Sequence, residues 1–373
     1  MARTRPALAS TRLIDRRDFM RAAGAAFAAA LAPRQLHAIE RADAVFATAY
    51  QEKDGPCGVA VLSEDRKLLF TSPLPDRGHD VSFDPVARRS VVFARRPGTF
   101  AVVFDHAGNS EPLTITSPAG RHFCGHGMFS PDGKLLYATE NDFDNAAGMI
   151  GIYDAGDGFA RIGEFPTHGM DPHEAMLLAD GRTLAIANGG IETHPDYGRK
   201  KLNIATMQPS FVFIDRVSGE LLEKHELEAK LHQLSIRHMD VDERGTIWFS
   251  GQYEGPETDR PPLIGKARRG AELELVGMDE KVLASFNNYT GAIAANREAG
   301  TVAVSSPQGN ALAILEAASG RLISHQTITE VCGLAPDRGD FIATTGRGQV
   351  IGGDGGKTEF DDWFWDNHVL RIG

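Results

Sequence analysis

The chain is poor in cysteine, with only Cys57, Cys124 and Cys332 in 373 residues. Three cysteines make no disulfide framework, although a single bridge stays open to them. No CxxC or CxxCH occurs, which excludes covalent haem attachment of that kind. GxSxG, HExxH, a P-loop and a dinucleotide fingerprint in its required strand–loop–helix setting are also missing. The Gly-rich GQVIGGDGGK near the end lacks that setting and reads as a flexible loop. The apolar run AAGAAFAAALA, Ala22–Ala32, is too short and too rich in alanine for a good membrane span. Beyond it, the 3.6-residue periodicity of long helices is nearly absent.

Positive charge is scarce as well. Lys and Arg number 39 against 50 Asp and Glu, a net charge of −11. Most of the early charge is basic: Arg16-Arg17 precedes Phe19-Met20, the alanine-rich run follows, and LHA at 36–38 offers a cut after Ala38. Residues 1–38 therefore read as a twin-arginine signal peptide, with Asp15 standing where Ser or Thr is usual. The expectation is export of the folded protein to the periplasm, with 39–373 as one domain. The first 38 residues hold seven Arg and two acidic residues, so 32 basic and 48 acidic side chains remain, a net charge near −16. That balance argues against nucleic acid and anionic membrane as partners.

What the sequence has in quantity is a repeat. GHDVSFDP at Gly78, GHGMFSPDG at Gly125, PHEAMLLADG at Pro172, RHMDVDERG at Arg237, TGAIAANREAG at Thr290 and CGLAPDRG at Cys332 are each a short strand and a turn. Each leads into a second apolar strand, such as SVVFARR, LLYATEN or TIWFSGQ, and third and fourth strands follow. The recurring positions His79, His126, His173, His238, Gly291 and Gly333 are 47, 47, 65, 53 and 42 residues apart. Four short strands per unit of about 45 residues predict an all-β fold, a β-propeller. The N-terminal VFATAYQEKDGPCGVAVLSEDRKLLFTSPLP matches second to fourth strands, which makes seven blades the expected number. WFWDNHVLRIG at the end reads either as a late strand of the last blade or as the strand that closes the ring on the N-terminal piece. The longest spacing holds an insertion near 190–209, IETHPDYGRKKLNIATMQPS, and long ordered loops are often functional.

First strands of propeller blades line the central channel, so His79, His126, His173 and His238 are expected around one mouth. The loops entering these strands add His122, His168 and His232. The exits of the second strands add Arg95, Arg96, Glu140, Asp142, Glu192, His194 and Arg347, and His368 is a further candidate for this face. Neutral imidazole is the commonest metal ligand, and several together suit iron, copper or zinc. Cys124 lies two residues before His126, on the same strand face, and is a soft candidate ligand, although a small buried Cys is the commoner use. Asp171, Glu174 and Asp240 are candidates to orient the rings. Against this stands the structural use of a recurrent His that ties strands together. GRKK in the insertion is a basic patch, either solvated or placed to contact an anion or an acidic partner.

The strings GRHFCGHGMFSPDGKLLYATEND, ANGGIETHPDYGRKKLNIATMQPS, LHQLSIRHM and WDNH together resemble a family of twin-arginine-exported propeller proteins of unknown function. Its members are often encoded beside imelysin-type iron-uptake proteins and di-haem proteins. The resemblance covers nearly all of the mature chain. It implies a seven-bladed, YVTN- or quinoprotein-like fold, and the histidine-rich mouth motivates a role in periplasmic metal handling linked to iron or copper acquisition. It also implies an imelysin-type or di-haem partner, and it carries over no catalytic residues. The readings that follow are a metal-handling protein, a scaffold for an imelysin-type partner docked on the insertion, and a metal-dependent hydrolase or oxidoreductase.

Overall fold

A computed structural model describes residues 44–106 and 110–372. The expected signal peptide, residues 1–38, lies outside the described residues. Twenty-eight strands form seven four-stranded antiparallel sheets, each a blade. Blade 2 begins at Gly78–Asp84, blade 3 at Arg121–Phe129, blade 4 at Pro172–Leu177, blade 5 at Leu234–Val241, blade 6 at Ala292–Asn296 and blade 7 at Val331–Asp337. Each then runs outward in chain order.

Blade 1 is the exception. Its inner strand is Trp363–Arg371, from the far end of the chain, paired antiparallel to Ala44–Glu52. The terminal strand thus closes the ring on the N-terminal piece and is not a late strand of blade 7. GQVIGGDGGK is not a flexible loop either: Gln349–Ile351 and Lys357–Glu359 pair as the third and fourth strands of blade 7 around its turn. The insertion lies between the second and third strands of blade 4, Thr183–Asn188 and Ser210–Asp215. Two short 3-10 turns, Pro195–Tyr197 and Ile204–Thr206, shape it.

The hydrophobic core is divided. Seven clusters of buried side chains each join two neighbouring blades. Val91 and Phe93 of blade 2 meet Phe123 and Tyr153 of blade 3 in one, and Phe46 and Ala60 of blade 1 meet Ile342 and Val350 of blade 7 in another. Second strands such as Thr183–Asn188 are buried along their whole length, as expected of strands covered on both faces. This layering lets one domain exceed the size at which a single core stops growing. The turns are fixed by their acidic residues: Asp84 Oδ1 accepts from Val86 N at 2.9 Å, and Asp215 Oδ1 accepts from Val217 N at 2.8 Å. No helix among the described residues is long and apolar enough to cross a membrane. All three cysteines are buried and free, so the one possible bridge is not formed.

Candidate metal centre

The inner strands do not run straight. In blade 2, Gly78 pairs with Ala94 and Val81 with Val92, so His79 and Asp80 together face one residue. In blade 3, Cys124, Gly125 and His126 fall between the pairs Phe123–Glu140 and Gly127–Ala138. Blade 4 breaks register at His173, blade 5 at Arg237 and His238, and the closing strand of blade 1 between Trp365 and Val369. Each break is a β-bulge, which frees residues from the ladder and re-aims their side chains. Gly125 makes the one in blade 3 possible. Its φ is +105°, and a Cβ there would come within 2.6 Å of His79 Cδ2.

The bulges bring five imidazoles together: His79, His126, His173, His238 and His368. The ring of His126 lies 5.0, 5.1, 5.4 and 4.8 Å from those of His79, His173, His238 and His368. One nitrogen from each of His79, His126, His173 and His238 can be chosen so that all four lie within 4.8 Å of one another. The spacing is tighter than expected for four separate blades, because the bulges point inward. His368 enters the cluster because the closing strand belongs to blade 1, beside blade 2.

Hydrogen bonds fix which nitrogens are free. His79 Nδ1 donates to Asp366 Oδ1 at 2.7 Å, so its Nε2 presents a lone pair. Arg237 has only donors, so His173 Nδ1 must accept from its Nη1 at 3.1 Å. The proton of neutral His173 is then on Nε2, which donates to His238 Nε2 at 2.8 Å. His126 is 1% exposed, and neither of its ring nitrogens has a hydrogen bond. Its Nδ1 lies 3.3 Å from Asp80 Oδ2 without the alignment of a bond. His238 Nδ1 and His368 Nε2 are also buried and unpaired. Such orphans are rare in folded proteins and call for a missing partner.

Four of the five rings are held neutral. Burial pushes His79 down to about 4 and drives His173, His238 and His368 well below the usual histidine range, with neighbouring cations and imidazoles adding to the effect at His173 and His238. Asp366 is the charged anchor: although burial opposes it, Arg95 and the His79 bond hold its carboxyl well below the ordinary range. Arg95 Nη1 donates to both Asp366 oxygens, at 3.0 and 2.7 Å, and Arg77 Nη2 to Oδ2 at 2.9 Å.

Other expected residues are used elsewhere. His122 has both nitrogens filled: Nδ1 donates to Phe123 O at 2.9 Å, and Nε2 accepts from Asn141 Nδ2 at 3.0 Å. It is the strand-tying histidine of the structural reading. His168 is exposed on a turn, and His232 closes a short 3-10 turn through Ala229 O. Glu140 points into blade 3, where Tyr153 Oη and Arg161 Nη2 donate to it at 2.6 and 2.8 Å. Asp142 pairs with Arg121, and Arg347 with Glu330 on the surface. Glu192 anchors the insertion by its backbone, and His194 accepts from Asp196 N within it. Cys124 is fully buried beside the cluster, and burial pushes its thiol well above the usual range, so it is not part of the nitrogen set.

The orienting carboxylates also differ from those expected. Glu174 accepts from Met239 N at 2.8 Å and Asp240 from Ala295 N at 2.7 Å, so both brace neighbouring blades. Asp171 pairs with Arg96 and Arg237. Asp366 instead orients His79 by a hydrogen bond, and Asp80 lies against His126; each stands one or two residues from a cluster histidine.

The fold and site define a seven-bladed propeller with a buried cluster of histidines in its channel that could hold a metal ion. The chain belongs to the family described as "Protein of unknown function (DUF1513)", which matches residues 72–372. Among solved structures, hydrazine synthase of Kuenenia stuttgartiensis matches with a TM-score of 0.56 at 14% identity, covering 84% of this chain and 89% of that one. The β-propeller domain of Cps50 (Swd1) from Myceliophteria thermophila matches at 0.55 and 12% identity, covering 86% and 96%. At such identities the likeness is one of fold alone. No curated protein matches the chain.

Proposed function

We propose that this protein is a metal-handling propeller of the periplasm that holds one first-row transition ion in its histidine cluster. The observation that carries the reading is His126, a buried imidazole with two unpaired nitrogens amid four other imidazoles. A tetrahedral ion with nitrogen ligands at about 2.0–2.1 Å spaces them about 3.4 Å apart. Nitrogens already within 4.8 Å of one another need only small side-chain shifts to reach that spacing. Neutral imidazoles suit copper, zinc, iron or nickel and disfavour magnesium or calcium. His79 and His126 offer lone pairs directly, whereas the Nε2 lone pair of His238 is engaged by His173. For His173 and His238 to hold an ion through Nε2, the hydrogen bond between them would have to be given up and the proton of His173 moved to Nδ1, away from Arg237. A role in iron or copper acquisition agrees with this donor set, and the periplasm is suggested by the twin-arginine pattern at Arg16-Arg17.

The test is elemental analysis of the protein purified from the periplasm without chelator or affinity tag, beside His126→Ala. About one ion per chain, lost in a variant that stays folded, is the expected result. No ion in either sample, even after loading with copper, zinc or iron, ends the metal reading.

A second reading has its own observation. The insertion exposes Tyr197 and Leu202, at 57% and 40%, beside the mouth of the channel. Such a loop suits docking of an imelysin-type or di-haem partner. Deleting residues 192–208 should abolish co-purification of that partner while the propeller stays folded, and retained binding removes the loop from the interface.

A further inference from the structure

The cavity that opens onto the histidine cluster is lined by four guanidinium groups, those of Arg95, Arg96, Arg199 and Arg237, and by no carboxylate. This is unexpected in a chain with a net charge of −11. The cavity is small, about 360 Å³ including the part open to solvent, and His79, His173 and His238 line its inner side.

Two of the four arginines are hydrogen-bonded to a carboxylate: Arg95 to Asp366 and Arg96 to Asp171. The other two are not. Arg237 is 2% exposed, yet both of its carboxylates, Asp171 and Glu254, stand 3.7 Å away, beyond hydrogen-bond distance. Among the described residues its side chain hydrogen-bonds to His173 alone, and its Nε has no hydrogen bond. Arg199, from the GRKK patch of the insertion, has no hydrogen bond or ion pair among the described residues. Its side chain is exposed overall, but partial desolvation where it faces the cavity, and then the nearness of Arg95, Arg96 and Arg77, lower its affinity for its own proton. A buried guanidinium with unfilled donors, and guanidinium groups gathered in excess of the carboxylates that face them, are both costly unless an anion joins them.

We propose that this mouth is a binding site for a small oxyanion, a carboxylate or phosphate group held by the forks of Arg199 and Arg237 directly above the histidine cluster. Guanidinium groups match such groups with paired N–H donors. Arg199 lies on the insertion, so that loop supplies the outer wall of the site. The neighbouring Lys201 is spent on Glu254, which keeps that carboxylate from filling the role. The proposal goes beyond the metal reading and does not need the ion, because the arginines are present without it. With an ion in the cluster, the anion is placed to face it, as expected if the metal arrives as an anionic chelate.

The test is calorimetric titration of the full metal-free protein with citrate and, separately, with inorganic phosphate at low ionic strength. Each is repeated on Arg199→Gln and on Lys200→Gln, a change of the same charge next door. Binding of about one anion per chain is expected, weakened about tenfold in Arg199→Gln and little changed in Lys200→Gln. Citrate alone bound identifies a carboxylate ligand, phosphate alone a phosphate, and both the shared oxyanion chemistry. No binding of either probe at millimolar concentration overturns the proposal, as does equal weakening by the two variants. The metal content of Arg199→Gln, expected to equal that of the wild type, keeps this outcome separate from that of the cluster.

Discussion

Blades 3 and 7 carry the same device with opposite results. Both inner strands bulge at a Cys-Gly pair, Cys124-Gly125 and Cys332-Gly333, and both place a threonine opposite, Thr139 and Thr344. In blade 7 the bulge closes on itself. Gly333 N donates to Thr344 Oγ1 at 3.1 Å, Ser305 Oγ donates to Cys332 O at 2.5 Å, and Cys332 Sγ reaches Trp365 O. In blade 3 the bulge holds one residue more, His126. Thr139 Oγ1 satisfies its carbonyl at 3.0 Å, and its ring nitrogens are left without a hydrogen bond. The bulge is therefore scaffold, and the residue it aims decides whether there is a site.

The sharpest way to break the comparison is to remove what blade 3 adds. His126→Ala should lower affinity for zinc or copper by at least about a hundredfold, read by competition with a chelator, while the far-ultraviolet spectrum is unchanged. A variant that keeps wild-type affinity would show that His126 is no ligand.

Next in size is Asp366→Ala. It leaves Arg95 and His79 facing a buried gap and should cost about 3–5 kcal/mol in denaturant unfolding, as breaking buried ion pairs does. A loss below about 1 kcal/mol would mean that water replaces the carboxylate.

The two glycines sharpen the comparison directly. An added Cβ at Gly125 meets His79 Cδ2 at 2.6 Å, and one at Gly333 meets Thr344 Oγ1 at 2.6 Å. Gly125→Ala and Gly333→Ala should each cost about 1–3 kcal/mol. Only the first should also weaken metal binding, because only it displaces a cluster ring. Equal loss of metal in both would make the bulges a common support and not separate devices.

Acid should weaken the metal-free protein. His79 titrates near 4 when folded and near its ordinary 6.5 when unfolded, and His173, His238 and His368 shift the same way. Between those values the unfolded chain binds more protons, so stability falls as pH drops through 6.5 towards 4, by roughly 1 kcal/mol per pH unit for each such group. A flat stability profile over that window in the metal-free form, measured by urea unfolding, contradicts the buried neutral cluster. The smallest effects belong to His168→Ala and His232→Ala, which should leave metal content unchanged and stability within about 0.5 kcal/mol.

Most of the site was legible as a register. His79, His126, His173 and His238 recur at the head of inner strands, and the period alone places them together. Less legible were the orienting groups. Asp171, Glu174 and Asp240 stand next to cluster histidines as plainly as Asp80 does, and sequence offers no reason to prefer Asp80. The bulges decide, because they turn Asp80 towards His126 and leave Glu174 and Asp240 to brace backbone N–H groups of the next blade. His122 was the reverse case: its position resembles that of the others, but Asn141 and its own strand fill both of its nitrogens.

The sequence by itself determined the propeller, the seven units and four of the five imidazoles, because each blade is built from contacts within about 45 residues and from turns written in Asp, Asn and Gly. Only the tertiary structure decided how the ring closes. Trp363–Arg371 becomes the inner strand of blade 1 by pairing with Ala44–Glu52, some three hundred residues away, and no local pattern distinguishes that partner from blade 7. The same closure brings His368 to the cluster and Asp366 to His79 and Arg95. The depth of burial that holds His79, His173, His238 and His368 neutral, and the gathering of Arg199 with Arg95, Arg96 and Arg237, also arise only when all seven blades stand around one axis. Desolvation and charge crowding belong to the assembled channel and to no single stretch of chain.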